Sequence, residues 1–489
     1  MLERLRSETF DVLILGGGIN GAGTARDLAL RASLARHPLR VALIEQNHFS
    51  SGTSGKNSHL IHGGLRYLKQ FDFGLVRDAL HERAVLLRIA PHLVEPQPFL
   101  MPLTGFVKEV YYNLGLTLYD WLSGNHAVPG HRRVPLHEVR RMEPGLAVPG
   151  MTAAAEFYDG QVRSARLVLE NIFEAIANGA ACANYVCAGS RVQESANLWR
   201  MQLCDTITGE TFEARSHILV DATGPWAHDP VPRLVRGSHI VLPRLNASDH
   251  AIAYFEESGR IVFFIPWGER GDRTLIGTTD VDHDGSPDDV HISQAETDYL
   301  RGIAAKVFPG SAQYQPLATF SSLRPLLPSS GSATRASREH HIFYNAQGIL
   351  HITGGKFTTY RAMSEEAADL VTARIAPTLQ PMHVTADHAL NGNTPAAIEA
   401  LLNEAPALAG RYSLDASDIR MMVRQYGVRT AAVLDSMPDF APDDLSRLDA
   451  GRLNYAERHE MAIRPRDFLE VSTTLALEGR TPAGFTMPA

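Results

Sequence analysis

Apolar residues run almost unbroken from Phe10 to Leu15 (FDVLIL) and stop at the glycines of GGGINGAG. So short and continuous a run predicts a strand covered on both faces, as in a parallel sheet. Beyond the glycines, Ala22, Ala25, Leu28 and Ala29 fall at helical spacing. A second apolar run, RVALIE, ends at Glu45, 24 residues after Gly21. Two further runs end in small-residue turns: HILVDATGPWA (217–227) and GILHITGGKFTTYRAMSEEAADLV (348–371), the latter continuing as a helix through Ala362, Met363, Ala367 and Leu370. Between them RIVFFIPW (260–267), TLIGTTDV (274–281) and HHIFYN (340–345) are rich in β-formers and predict a second sheet. Segment 376–397 has three prolines and no period, which marks a linker. Helical patterns return in SDIRMMVRQYG, LNYAERHEMA and RPRDFLEVSTTLAL.

The first strand, turn and helix carry chemistry. Gly16, Gly18 and Gly21 form G-x-G-x-x-G in the context that motif requires. The first glycine makes the tight turn, the second lets backbone amides reach a pyrophosphate, and the third lets helix and strand pack closely. Glu45 is placed to accept hydrogen bonds from a ribose and to repel a 2′-phosphate. The chain returns to this site at Ala222 and Gly224, and again at Gly354 and Gly355. Three approaches, at Gly16, Ala222 and Gly354, wrap a long cofactor, which favours FAD over NAD.

Length and composition narrow the picture. At 489 residues the chain exceeds one core, and the usual domain size suggests roughly three domains. A net charge of -8 offers nucleic acid no bulk attraction, so an anionic ligand must meet a local basic cluster. Cys182, Cys187 and Cys204 lack disulfide or metal spacing. His340 and His341 have strand spacing, and H-E-x-x-H and G-x-S-x-G are absent, so no metal is expected. No apolar run approaches the length of a membrane span, and no cleavable leader is evident. The tyrosine- and leucine-rich stretch 110–124 has little basic charge, and its aromatic stripe is expected to be core, with an interfacial membrane helix as the alternative.

In LIHGGLRYL (60–68), dense glycines allow close backbone approach, and Arg66 offers a fixed fork of donors to an anion. Together with GGGINGAG, ALHERAVLLRIAPHL, ATGPW, GSHIV, IPW, IGTTD, LRPL and GGKFTTYR, this stretch resembles the flavin-dependent glycerol-3-phosphate dehydrogenases over about residues 10–375. The resemblance implies an α/β fold: a Rossmann-like FAD-binding domain of the glycine oxidase and D-amino-acid oxidase type, a β-rich substrate domain and a small helical C-terminal domain. The expected boundaries are 1–100, 150–230 and 345–378 for the FAD domain, 101–149 and 231–344 for the substrate domain, and 379–489 for the helical domain. The expected FAD contacts are completed by Thr53, Ser54, His62, Gly63, Val186, Lys356 and Thr358, with Gly63 and Gly64 against the ring.

The implied reaction is oxidation of glycerol 3-phosphate by hydride transfer from C2 to flavin N5. A phosphate of about -1.5 to -2 charge calls for arginine. Arg66, Arg324 and Lys356 lie in family motifs, and the resemblance places them around the substrate. Arg338 is either a further phosphate contact or a surface charge. Tyr67 either bonds substrate or packs beside the flavin, and Thr279 in IGTTD joins the substrate candidates. Catalysis is assigned to Arg324, His239 and Arg66. His239 is the candidate base, with a purely structural histidine as the alternative, and Arg324 would stabilise developing alkoxide.

Two departures from the family stand out: His59 where it usually has lysine, and Val471-Ser472-Thr473 where an arginine pair is expected before the threonine. The acceptor implied by the resemblance is a membrane quinone, with peripheral attachment to the inner face of the cytoplasmic membrane and room for a homo-oligomer. The rivals are an oxygen-using glycerol-3-phosphate oxidase, an amino-acid oxidase and a non-catalytic flavoprotein.

Overall fold

The computed structural model describes all residues except 65–71, 125–127, 230, 257, 328–339, 378, 380–381, 442–444, 483–484, 486 and 488–489. Arg66, Tyr67 and Arg338 therefore lie outside the described residues. The protein is α/β, built on two large sheets with a helical C-terminal region.

Among the described residues the first sheet has eight strands. Thr9–Leu15 lies near its centre, parallel to Val41–Ile44 on one side and to Thr211–Asp221 on the other, and Leu350–Gly354 continues beyond. Alternation along the first strand serves both faces. Val12 and Ile14 pack among the helices Ile19–Ala35, Ser164–Ala177 and Tyr360–Ile375, while Leu13 and Leu15 pack on the Val186–Ser195 and Leu198–Asp205 hairpin. This two-sided burial explains the unbroken apolar run. Each of Val12, Leu13 and Ile14 is fully buried, worth about 1.5–3 kcal/mol apiece.

Among the described residues the second sheet has ten strands. Its long Arg233–Pro243 strand is flanked by Arg273–Gly277 and Ala318–Leu326, both antiparallel. One face is covered by the Gln294–Val307 and Leu136–Met142 helices, and the other turns Phe99, Phe157 and Phe263 inward. Strand membership departs from the sequence expectation at several strands, Leu60–Ile61 and most of Val94–Thr104 among them, both in the second sheet though expected in the FAD domain. Met151–Val162, expected in the FAD domain, pairs within the second sheet along Val94–Thr104. His340–Tyr344, expected in the second sheet, is an edge strand of the first, antiparallel to Leu350–Gly354. A short apolar run carries no mark of its partner, and here a tight turn at Asn345–Gly348 decides the pairing.

The helices Pro395–Tyr412, Ala416–Tyr426, Thr430–Leu434 and Arg447–His459 enclose a core including Ile419, Met422 and Tyr426. Val471 is buried against the core of the first sheet, so apolar packing occupies a position where the resemblance leads one to expect arginine. The C-terminal segment grips the turn after Ile261–Trp267. Arg452 forks onto Glu269 at 2.8 and 2.5 Å, and Glu478 accepts the Glu269 N–H at 2.8 Å.

Burial and the neighbouring Glu269 push the Glu478 carboxyl from 4.5 up to about 7. A carboxyl raised by folding holds its proton more tightly in the native state. Its contribution is thus complete below the unfolded value and is lost as pH rises through about 7. Hydrogen exchange of residues 474–480, corrected for intrinsic rate, is expected to be faster at about pH 8 than at about pH 5. Equal protection at both would contradict this.

Candidate active site

One cavity of about 550 Å³ runs between the two sheets. Its nucleotide end is made by the first strand and its turn. Gly16 has φ +105°, and a Cβ there would stand 2.6 Å from the Ala222 carbonyl oxygen. A Cβ on Gly21 would overlap the Gly16 carbonyl, so this third glycine serves packing and stays off the cavity wall. Gly18 caps the helix Ile19–Ala35 and lines the cavity, with Ser54 Oγ accepting the Ile19 N–H at 2.9 Å. Glu45 Oε2 accepts from Gly17 N–H at 2.7 Å and Oε1 from Asn47 N–H at 2.9 Å. Burial nevertheless raises its carboxyl pKa, so further donors such as ribose hydroxyls would favour its charged form.

The remaining cofactor candidates fall along the same cavity: Thr53, His62, Val186, Ala222 and Gly224 on its walls, and Gly354, Gly355, Lys356 and Thr358 past the turn. Gly63 is an exception. Its N–H is spent on Tyr119 Oη at 2.9 Å, and Leu80 fills the space beside its Cα. Gly64 (φ +85°) lines the cavity instead.

At the other end stand Arg324 and His239, each made possible by a glycine on a neighbouring strand. A Cβ on Gly237 would overlap the Arg324 guanidinium, and one on Gly277 would overlap the His239 ring. Arg324 Nη1 donates to Asp280 Oδ1 at 2.7 Å and Nη2 to Thr278 Oγ1 at 2.8 Å, which fixes the guanidinium plane. His239 stacks on Phe320 with centroids 5.0 Å apart, and its Nε2 meets Ser58 Oγ at 2.9 Å. Burial first, then the charge of Arg324, holds its pKa well below the ordinary histidine range, so it is neutral. Lys356 is largely buried and lines the same cavity.

One sequence expectation is corrected here, and one departure from the family is placed. Thr279 does not face the cavity: its hydroxyl donates to Glu296 at 2.7 Å and accepts Ser238 N–H at 2.9 Å. Burial disfavours the Glu296 charge but is outweighed by hydrogen bonds from Ser293, Thr279 and Ser238, which bring it to about 2. That anchored carboxylate holds the turn whose neighbours Thr278 and Asp280 do line the cavity. His59 is also turned away. It stacks on Trp267 at 5.3 Å, and burial lowers its pKa to about 4, so it brings no charge to the cofactor. The sequence reading missed Ser58, Asp280 and the aromatic wall of Phe99, Phe157 and Phe263. Ser58 lies two residues before LIHGG, and Asp280 closes IGTTD, so motif proximity was the available signal.

The donor set fits FAD: a turn whose Gly18 leaves room for a pyrophosphate, a carboxylate at Glu45 suited to a ribose, and a second group of cavity residues at Gly354–Lys356. The model of the FAD dependent oxidoreductases (DAO) matches residues 11–370. Aerobic glycerol-3-phosphate dehydrogenase of Escherichia coli is 33% identical over 94% of this chain and 93% of its own. The chain belongs to the FAD-dependent glycerol-3-phosphate dehydrogenase family. D-erythritol 1-phosphate dehydrogenase of Brucella abortus is 35% identical over 73% of this chain and 72% of its own. The crystal structure of a Bacillus halodurans glycerol-3-phosphate dehydrogenase complexed with FAD superposes with a TM-score of 0.78 at 25% identity, covering 96% of this chain and 87% of that one. This flavoenzyme thus takes FAD as its cofactor. Gly18, Ser54, Glu45 and Gly354–Lys356 line the cavity and are the residues that could hold it.

Proposed function

We propose that the enzyme oxidises sn-glycerol 3-phosphate to dihydroxyacetone phosphate and delivers the electrons to a membrane quinone. The observation that carries the substrate is that Arg324, His239 and Lys356 all line this one cavity. All three relatives described above are named for phosphorylated polyols, whose shared chemistry is a secondary alcohol near a phosphate monoester.

Bound FAD supplies the hydride acceptor. Lys356, with Arg66 from the sequence motif, supplies positive charge for the phosphate. Arg324 presents a guanidinium held flat by Asp280 and Thr278, suited to an oxygen that gains negative charge as the hydride leaves. His239 is neutral and therefore able to receive a proton.

Support for a lipid-soluble acceptor comes from the helix Phe106–Ser123. It was expected to be core, yet only Leu116 and Tyr119 are buried. Val107, Leu114 and Trp121, seven residues apart and so on one face, are 81%, 67% and 76% exposed, with Phe106 at 78% beside them. Such a stripe, ending in tryptophan, suits the water–lipid boundary. Its packing, not its pattern, separates it from a core helix. On the opposite face Tyr119 bonds Gly63, between the cavity-lining His62 and Gly64. The apolar surface therefore lies one helix away from the cofactor. No helix among the described residues is long and apolar enough to cross a membrane, and peripheral contact needs none.

The expected outcome is flavin bleached by glycerol 3-phosphate, then reoxidised quickly by a short-chain quinone and slowly by air. Val107→Asp and Trp121→Ser should release the protein from anionic vesicles and leave reduction by substrate unchanged. Stoichiometric peroxide formed at the full turnover rate would favour the oxidase reading instead.

A further inference from the structure

We propose that Ser58 is a catalytic residue that relays the substrate's hydroxyl proton to His239. The relay rests on the reading of this cavity as an alcohol-oxidising site and adds a residue to it.

Ser58 lines the cavity, and its Oγ lies 2.9 Å from His239 Nε2. An imidazole nitrogen has a single in-plane position for a hydrogen bond, and on Nε2 the serine occupies it. A substrate hydroxyl therefore has no direct approach to that atom. The serine hydroxyl can accept one hydrogen bond while donating another. It already holds the histidine, and it retains capacity on the cavity side for the substrate. The other ring nitrogen, Nδ1, is buried with no hydrogen-bond partner among the described residues. The relay requires the resting tautomer with the proton on Nδ1 and the Nε2 lone pair receiving the serine proton.

Local structure holds the serine there. Asn57 Nδ2 donates to the Ser54 carbonyl at 2.8 Å, and Asn57 Oδ1 accepts the His59 N–H at 2.7 Å and the Ser164 hydroxyl at 3.0 Å. His59 has φ +52°, and its ring points backward to Ser164 and Trp267. The left-handed turn at His59 and the bracing by Asn57 leave Ser58 facing the cavity. His239 is fixed from behind by Phe320, in the room that Gly277 leaves.

The step balances as follows. The substrate O–H bond breaks and its proton goes to Ser58 Oγ, while the proton already on Oγ passes to His239 Nε2. Serine ends unchanged, histidine gains one proton, and the C2 hydrogen leaves with its electron pair as the hydride that bound FAD accepts. Among the described residues, the group facing His239 that carries charge is Arg324, on the flanking strand and itself paired with Asp280 on the turn; His59 on the loop is titratable but neutral near neutral pH, and both disfavour a second proton on the ring. The product imidazolium is thus poised to lose its proton again, and the rate of reduction should be flat above the ordinary histidine range.

The test is flavin reduction by glycerol 3-phosphate in stopped flow, in H₂O–D₂O mixtures, on FAD-loaded protein. Wild type is expected to show a curved proton inventory, because two protons move together. Ser58→Ala should reduce roughly 10²- to 10⁴-fold more slowly, with a linear inventory, and Ser58→Thr should recover much of the rate. Flavin content and reduction by dithionite should be unchanged in both. The ¹⁵N shifts of His239 should report the Nδ1–H tautomer in wild type and a mixture in Ser58→Ala, a readout independent of turnover. A linear inventory in wild type, or wild-type rates in Ser58→Ala, would remove the relay alone, and the wild-type inventory decides even where the alanine variant fails to hold flavin. Failure of glycerol 3-phosphate to bleach wild-type flavin would overturn the functional reading, and the relay with it.

Discussion

Arg324→Ala is expected to slow flavin reduction by glycerol 3-phosphate roughly 10²- to 10³-fold, the usual cost of losing one preorganised donor to a developing oxyanion. The guanidinium is not a mobile surface charge. Asp280 and Thr278 hold it at 2.7 and 2.8 Å, and Gly237 clears the space behind it. Arg324→Lys should recover little, because an ammonium cannot keep Asp280 and Thr278 and still present a second arm to the substrate. Gly237→Ala should cause part of the same loss with the charge retained, since its methyl would displace the guanidinium. Arg66→Ala is expected instead to act mainly on KM, as a phosphate contact would. Rapid-mixing measurement of the reduction rate against substrate concentration separates these effects. Wild-type rates in Arg324→Ala would mean that the reacting alcohol lies elsewhere in the cavity.

Gly18→Val is expected to yield a folded, colourless protein. The choice of glycine matters. At Gly16 a side chain would meet the Ala222 backbone and a φ of +105°, so the turn itself would fail. At Gly18 an added Cβ meets only Ser54 Oγ at 3.1 Å, a side chain that can shift. The protein can therefore accommodate the substitution, but the path of the pyrophosphate over the helix N-terminus cannot. Purified Gly18→Val should lack the flavin absorbance and keep the far-ultraviolet circular dichroism of wild type. Retained flavin would show that the cofactor's phosphates run outside this turn.

The nucleotide end was legible in the sequence because its determinants are local. A strand, a glycine turn and a helix must be consecutive to make a pyrophosphate site, and an acid at the end of the next strand falls beside it whatever the rest of the chain does. The returns at Ala222 and Gly354 were legible for the same reason, since each is an apolar run ending in residues small enough for close approach. The resemblance carried the reading further, to Arg324, His239 and Lys356.

Tertiary structure decided what neighbours alone could not. In IGTTD, three consecutive polar residues offer their side chains in different directions, and the buried Glu296 takes Thr279 and leaves Thr278 and Asp280 for the cavity. In KNSH, the histidine was the conspicuous departure, yet a left-handed turn sends it behind the loop and leaves the serine on His239. The apolar period of Phe106–Ser123 is the same for a core helix and for one lying on a surface, and the short run at 340–344 pairs with whichever edge is open. Periodicity records that a face is apolar. What covers that face depends on elements far away in the chain, and so on packing that only the assembled fold supplies.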